Sequence, residues 1–351
     1  MRKLIECSIL VAGALSIAGC AGSMLPPPTA QAPSAWRPVD AATGQMSDVA
    51  SLEDLALAFP DSGSVHLRLL NAYLEAENLA AAGDQLNWLS DRGYRFGTNA
   101  RTRLQSIFAG ADPKQIAKWI AESDPQLETS EFIAEVPGEA LLVEGLAVDP
   151  HDGSLAVAAL VSREIWRIGD GDWESRPMEG LGNLSGIAVD PAGGIWLAAG
   201  NLGMLPAGEQ AFAGLVKIGS DSAGPARFPA PAGVNLSDIA LGKDGAVYAS
   251  DPLAGGIYRL APGADAIEEL VPPGNLRSPQ GLAEGADGRW LYVSDYRYGL
   301  AAIDLASGKI RRVATELPIL LDGIDALIRR GEELIAVQNG TSPMQLVAFE
   351  L

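Results

Sequence analysis

The sequence predicts a mainly β protein, a β-propeller with five visible blades and a sixth possible, preceded by a small all-α domain. Three observations carry this. A unit of two short strands around a tight turn occurs five times between residues 144 and 351, mostly at a period in the forties. Glycine (40) and proline (23) are plentiful while aromatics make up 6% of the 351 residues, which favours many turns over long helices. Residues 47–125 have a different texture, with apolar side chains three and four apart.

The chain opens on "MRKLIECSILVAGALSIAGC". Arg2 and Lys3 precede an apolar run over residues 7–18 that is too short to span a bilayer and ends in small residues. Residues 1–20 therefore read as a secretory signal. Its ending, Ile17-Ala18-Gly19-Cys20, resembles the lipobox of bacterial lipoproteins, which implies cleavage before Cys20 and acylation of its thiol, for example with palmitate. Several acyl chains hold a protein on a bilayer far better than one. Ala21 and Gly22 follow the cysteine where an aspartate would imply inner-membrane retention. The resemblance thus implies an outer-membrane lipoprotein facing the periplasm of a Gram-negative host. Residues 21–46, rich in Pro, Ala and Ser, read as a semi-extended tether in which Trp36 is the one residue suited to docking.

In the helical segment, Leu67, Leu70, Tyr73 and Leu74 share one stripe, and Leu79, Leu86 and Leu89 supply another after a short break. Leu69 and Tyr73 in the first helix, with Ala82 and Leu86 in the second, resemble a tetratricopeptide repeat. One unit cannot bury its apolar face by stacking, so the flanking helical stretches "SLEDLALAF", "TNARTRLQSIF" and "PKQIAKWIAES" must cover it. His66 is expected at the surface or as a cap. Such a domain serves as a packing cap, or presents a groove to a protein partner.

The propeller units, over residues 130–351, begin at residues 144, 185, 237, 280 and 322, so successive starts lie 41, 52, 43 and 42 residues apart. Each reads as an inner strand, a turn, a second strand and a third. The stretches "DWESRPM", "PARFPAP", "AIEELVP" and "KIRRVATEL" supply fourth strands. The last unit lacks one, and "EFIAEVP" (131–137) has the pattern to provide it, which would close the ring and remove its exposed edges.

In such a ring the residues starting the inner strands gather at one end of the central channel. Glu144, Ser185, Ser237, Gln280 and Asp322 are expected there as a polar ring. Asp251, Asp295 and Asn339 close the second strands, and with Ser185, Ser237 and Asp238 they are the residues expected to bind a ligand at the mouth, Asp325 lying nearby in sequence. Asp149 and Asp190, in two "AVDP" turns, satisfy turn amides, and His151 faces solvent. Trp166, Trp196, Tyr248 and Tyr292 read as blade packing.

The phrases "EGLAVDP", "SGIAVDPAGGIW", "PQGLAEGADGRWLYVSD" and "LIAVQNG" resemble the gluconolactonase/senescence-marker-protein superfamily and, more distantly, NHL-repeat propellers. That resemblance covers roughly residues 130–351 and implies lactone or ester hydrolysis at a divalent cation, often calcium. Carried across, it places Glu144 and Asp322 among the ligands, with Gln280 next round the ring. Positions that the family fills with asparagine fall on Ser185, Ser237 or Gln280, where the match fails. The family's six blades against five here are a second departure, and no catalytic aspartate is singled out.

Composition excludes several classes. A formal charge of −19 argues against a nucleic-acid partner. Cys7 and Cys20 are the only cysteines, which leaves no thiol nucleophile or disulfide framework in the folded body. Neither histidine, His66 or His151, sits in a triad motif. The expectation is a lipid-anchored binding or scaffolding module for an envelope protein or a small ligand, the alternative being a metal-dependent lactonase or esterase.

Overall fold

The structure is a computed structural model that describes residues 36, 41–123, 131–219 and 224–350. Cys20, the signal segment 1–20 and most of the expected tether lie outside these residues.

Among the described residues six helices come first: α1 (Ala41–Gln45), α2 (Val49–Ala58), α3 (Gly63–Glu75), α4 (Leu79–Asp91), α5 (Thr98–Ile107) and α6 (Pro113–Trp119). α1 falls in the stretch expected as tether, so order begins earlier than composition suggested. Polar residues start the helices as local chemistry requires. Asp48, Ser62, Asn78 and Asp112 accept from backbone N–H groups of the first turns of α2, α3, α4 and α6, and Pro113 opens α6. Leu52, Leu55, Phe59, Leu69, Leu70, Tyr73, Leu86 and Leu89 form a buried core. Leu67 and Leu74 are half-buried at its margin, and Leu79, first residue of α4, is exposed. His66 is buried, contrary to expectation: its ring stacks on Trp88 with centroids 3.6 Å apart, and Nδ1 lies 2.7 Å from Gln85 Oε1.

The blades follow. β1 (Val143–Val148), β2 (Leu155–Ala159), β3 (Glu164–Ile168) and β4 (Glu174–Pro177) make blade 1, and β5 (Asn183–Val189), β6 (Ile195–Gly200), β7 (Gly214–Ile218) and β8 (Ala226–Pro229) make blade 2. Blade 3 is β9 (Ile239–Leu241), β10 (Val247–Asp251), β11 (Gly256–Leu260) and β12 (Ile267–Val271). Blade 4 is β13 (Pro279–Glu284), β14 (Trp290–Asp295), β15 (Gly299–Asp304) and β16 (Ile310–Arg312). Blade 5 has three strands, β17 (Ile324–Arg330), β18 (Glu333–Gln338) and β19 (Gln345–Glu350). Within each blade, neighbouring strands pair antiparallel in chain order. All four expected outer strands are present.

Apolar cores bind each blade to the next, for example Ile165 and Ala158 of blade 1 against Ile187 and Leu197 of blade 2. Glycine makes the inner strands fit. A Cβ on Gly145 would stand 2.2 Å from Ser185 O, and one on Gly186 2.6 Å from Ser237 O. Asp149 and Asp190 accept from turn amides as expected. Trp196, Tyr248 and Tyr292 are buried between blades.

The expected closure is not made. Residues 131–137 form no strand, and the carbonyl of Glu135 instead accepts from Trp173 Nε1 (2.8 Å), beside the β3–β4 hairpin of blade 1. Cores join blades 1–2, 2–3, 3–4 and 4–5, and among the described residues none joins 5 to 1. Leu146 (64% exposed) on blade 1 and Leu346 (71%) on blade 5 stay bare. Its counterpart in blade 2, Ile187, is buried.

Candidate functional site at the channel mouth

Cross-strand pairing fixes which residues occupy equivalent places. Leu146 faces Val157, Ile187 faces Leu197, Leu282 faces Val293 and Leu327 faces Ala336. The residue two positions before each is Glu144, Ser185, Gln280 and Asp325, with Ser237 before Ile239 in blade 3. Asp325, not Asp322, is therefore the fifth member of the ring. The same shift holds one residue on: Gly281 packs on Ala326 and Leu327 as Gly186 packs on Ser237 and Ile239. The "DG" at 322–323 mimicked the motif three residues too early.

Asp322 has other work. Its Oδ1 accepts from Gly63 N (2.9 Å) and its Oδ2 from Ser64 N (2.7 Å), so it closes the N-terminus of α3 from across the domain boundary. Around it, Ser62 Oγ donates to Arg297 O (2.6 Å), and Arg312 pairs with Asp61. Arg95 and Ser342 exchange two bonds, Arg95 N to Ser342 O (2.7 Å) and Ser342 Oγ to Arg95 O (2.6 Å). Trp36 docks as expected: its Nε1 donates to Asn275 O (2.8 Å) and its ring meets Phe59 edge-on. Tyr298, from blade 4, is part of the helical core. These loops, at 275, 295–298, 313–322 and 339–342, lie on the face where the inner strands begin, because strands alternate direction within a blade. The helical unit thus sits on the mouth side over blades 4 and 5.

Asp251 and Asp295 are also committed. Both are fully buried. Asp251 accepts from Asn235 N (3.1 Å) and Leu253 N (3.0 Å), and Asp295 from Arg277 N (2.6 Å), which pins the crossover into each inner strand. Gln338, rather than Asn339, takes that place in blade 5 and donates to Leu320 O (3.0 Å) and Asp322 O (2.9 Å). Ser185 is buried and its Oγ donates to Ser237 O (2.7 Å), stitching blades 2 and 3, while Gln280 donates to Ser278 Oγ (3.1 Å).

A different constellation remains at the mouth. Asp325 is half-buried and accepts from Asn339 Nδ2 (3.0 Å), whose Oδ1 accepts from Tyr296 Oη (2.9 Å). Asp238 takes the place of the inner-strand glycine in blade 3 and accepts from Leu282 N (3.3 Å) of blade 4. Burial pushes its carboxyl up to about 7, against the backbone donors Ile239 and Leu282, and the charge of Asp325 adds to the rise. Burial raises Asp325 itself, and Glu144 at the rim is raised by partial desolvation and then by Asp325. Asp325 is thus the charge that both other carboxyls feel. The sequence places Asp238 among the ligand-binding residues of the mouth and gives Asp325, close by in sequence, no role.

The donor set implied for a cation does not assemble. Asp322 is occupied by α3, and among the described residues no three His, Cys, Asp or Glu side chains come within metal-binding reach of one another.

Fold and site define a five-bladed propeller with a helical unit clamped over part of its channel mouth. Solved structures resemble part of the chain. A nidogen/laminin complex matches with a TM-score of 0.49 at 20% identity, over 60% of this chain and 77% of that one. A gluconolactonase from Xanthomonas campestris matches at 0.45 and 21%, over 59% and 72%. The calcium-binding protein regucalcin from Agrobacterium tumefaciens matches at 0.42 and 17%, over 56% and 68%. No family model and no curated protein matches the chain.

Proposed function

We propose that the chain is a binding module of the bacterial envelope, held on the periplasmic side of the outer membrane by lipid at Cys20. It receives a small ligand or an envelope protein at its half-covered channel mouth. One observation carries the reading: the carboxylate that family resemblance assigned to a cation, Asp322, is spent on holding the helical unit against the mouth. A helical unit fastened over part of the mouth adds a second surface beside the ring, which favours recognition over turnover. No helix among the described residues is long and apolar enough to cross a membrane. Calorimetry with calcium and a panel of lactones and esters tests the proposal on the processed chain. The expected result is no turnover above the buffer rate.

A second reading is hydrolysis of a lactone or ester at the mouth, and Asp238 favours it. A carboxyl titrating near 7 can take or give a proton at neutral pH, and raised carboxyls cluster at functional sites. Turnover that disappears in both Asp238→Asn and Asp325→Asn, with a pH profile breaking near 7, would establish this reading and displace the first.

A further inference from the structure

Blade 5 stops one strand short of the others, and the chain carries a stretch suited to the vacancy that it does not use there. Blades 1 to 4 each have a fourth strand on the outer edge of the third, whereas among the described residues nothing pairs with the outer edge of β19. An unpaired edge with apolar neighbours is a template for a further strand. Residues 131–137, "EFIAEVP", place Phe132, Ala134 and Val136 on one side if extended. Phe132 is 81% and Ile133 80% exposed, with no strand partner. Within the chain this stretch is tied to blade 1 through Glu135 O and Trp173 Nε1.

We propose that two copies of the chain associate by strand exchange, residues 131–137 of one copy forming the fourth strand of blade 5 on the other. A free strand and a free edge on one polypeptide, left unjoined in it, are the elements of a domain-swapped assembly. Antiparallel addition to β19 would repeat how β4, β8, β12 and β16 join their blades. The five residues at 138–142 between this stretch and β1 equal in number those at 178–182 between β4 and β5, so the outer-to-inner crossover has a working length. The incoming apolar side chains would extend the bare face that Ile328 (62% exposed) and Leu346 present on blade 5. Main-chain bonding supplies the attachment, and the alternating apolar side chains select the partner.

The test uses full-length chains with different tags, co-expressed, one carrying Phe132→Cys and the other Glu350→Cys, which face each other when residue 137 lies opposite Gln345 as Pro177 lies opposite Glu164. Both positions are exposed, so neither change disturbs a core. A disulfide-linked species bearing both tags on a non-reducing gel, absent when either variant is expressed alone, is the expected result. A variant with both cysteines on one chain that closes at monomer size, with no mixed dimer, would overturn the proposal in favour of closure within the chain. No bond in either arrangement would overturn it outright. Light scattering of the solubilised wild-type chain should give twice the monomer mass, falling to the monomer in Ile133→Pro, where the ring removes a strand donor. A wild-type monomer would also refute the exchange.

Discussion

At the scale of single residues, the chain places carboxyls where burial and local donors compete. Asp322 accepts two backbone N–H groups at the start of α3, inside the contact between helices and propeller. Asp322→Ala would leave the buried Gly63 N and the half-buried Ser64 N without this partner. It should lower unfolding free energy by about 1–3 kcal/mol in urea denaturation, with Asp322→Asn intermediate because its amide oxygen still accepts. The pH response follows from direction. Burial raises Asp322 and Asp295 to about 6 and Asp238 to about 7, from 3.8 for a free aspartate. Between those values the folded chain holds protons that the unfolded chain has lost, so stability falls as pH rises. Melting temperature should therefore be higher near pH 4.5 than at 7.5 as far as these three groups govern it. Asp238→Asn should flatten the upper part of that slope, and an unchanged profile would remove Asp238 from the account.

At the scale of elements, the blades are held by backbone proximity as much as by side chains. Gly145 lets β1 lie against the first residues of β5, and any Cβ there meets a carbonyl. Gly145→Ala forces the two inner strands apart and should cost about 1–3 kcal/mol, read as a drop in melting temperature. Alanine at Gly153, a turn glycine with open space around it but a φ of +75°, strains only its own turn and should cost less. Blade 3 shows another solution. Asp238 stands where blades 1, 2 and 4 have glycine, and its side chain bridges to Leu282 N of the next blade.

At the scale of the whole molecule, the helices and the propeller share structure. Tyr298 projects from the β14–β15 loop into the helical core, touching Phe59 with ring centroids 4.8 Å apart. Trp36 reaches the other way, from the segment before α1 to Asn275. The two parts should unfold in one calorimetric transition. Tyr298→Ala, which removes the shared side chain, should separate that transition into two. Two transitions in the wild-type chain would show that the docking contacts are too weak to couple the parts.

Local chemistry was legible in the sequence. The four outer strands, the turn aspartates Asp149 and Asp190, and the docking role of Trp36 all follow from alternation, turn residues and composition, which act over a few neighbours. Three features were not legible, because each depends on a partner remote along the chain. Asp322 and Asp325 both precede a plausible inner strand, and only pairing with β18 decides that Asp325 belongs to the ring. His66 was expected at the surface, but its burial depends on Trp88 in the next helix. The stretch 131–137 has the pattern of a strand, yet pattern cannot name the edge that receives it. The sequence by itself determined the individual blades, with a sixth left open, since each blade is built from contacts within some forty residues. Tertiary structure alone decided which carboxyls meet at the mouth and that the ends of the arc stay apart, since both are settled by packing between segments far apart in the chain.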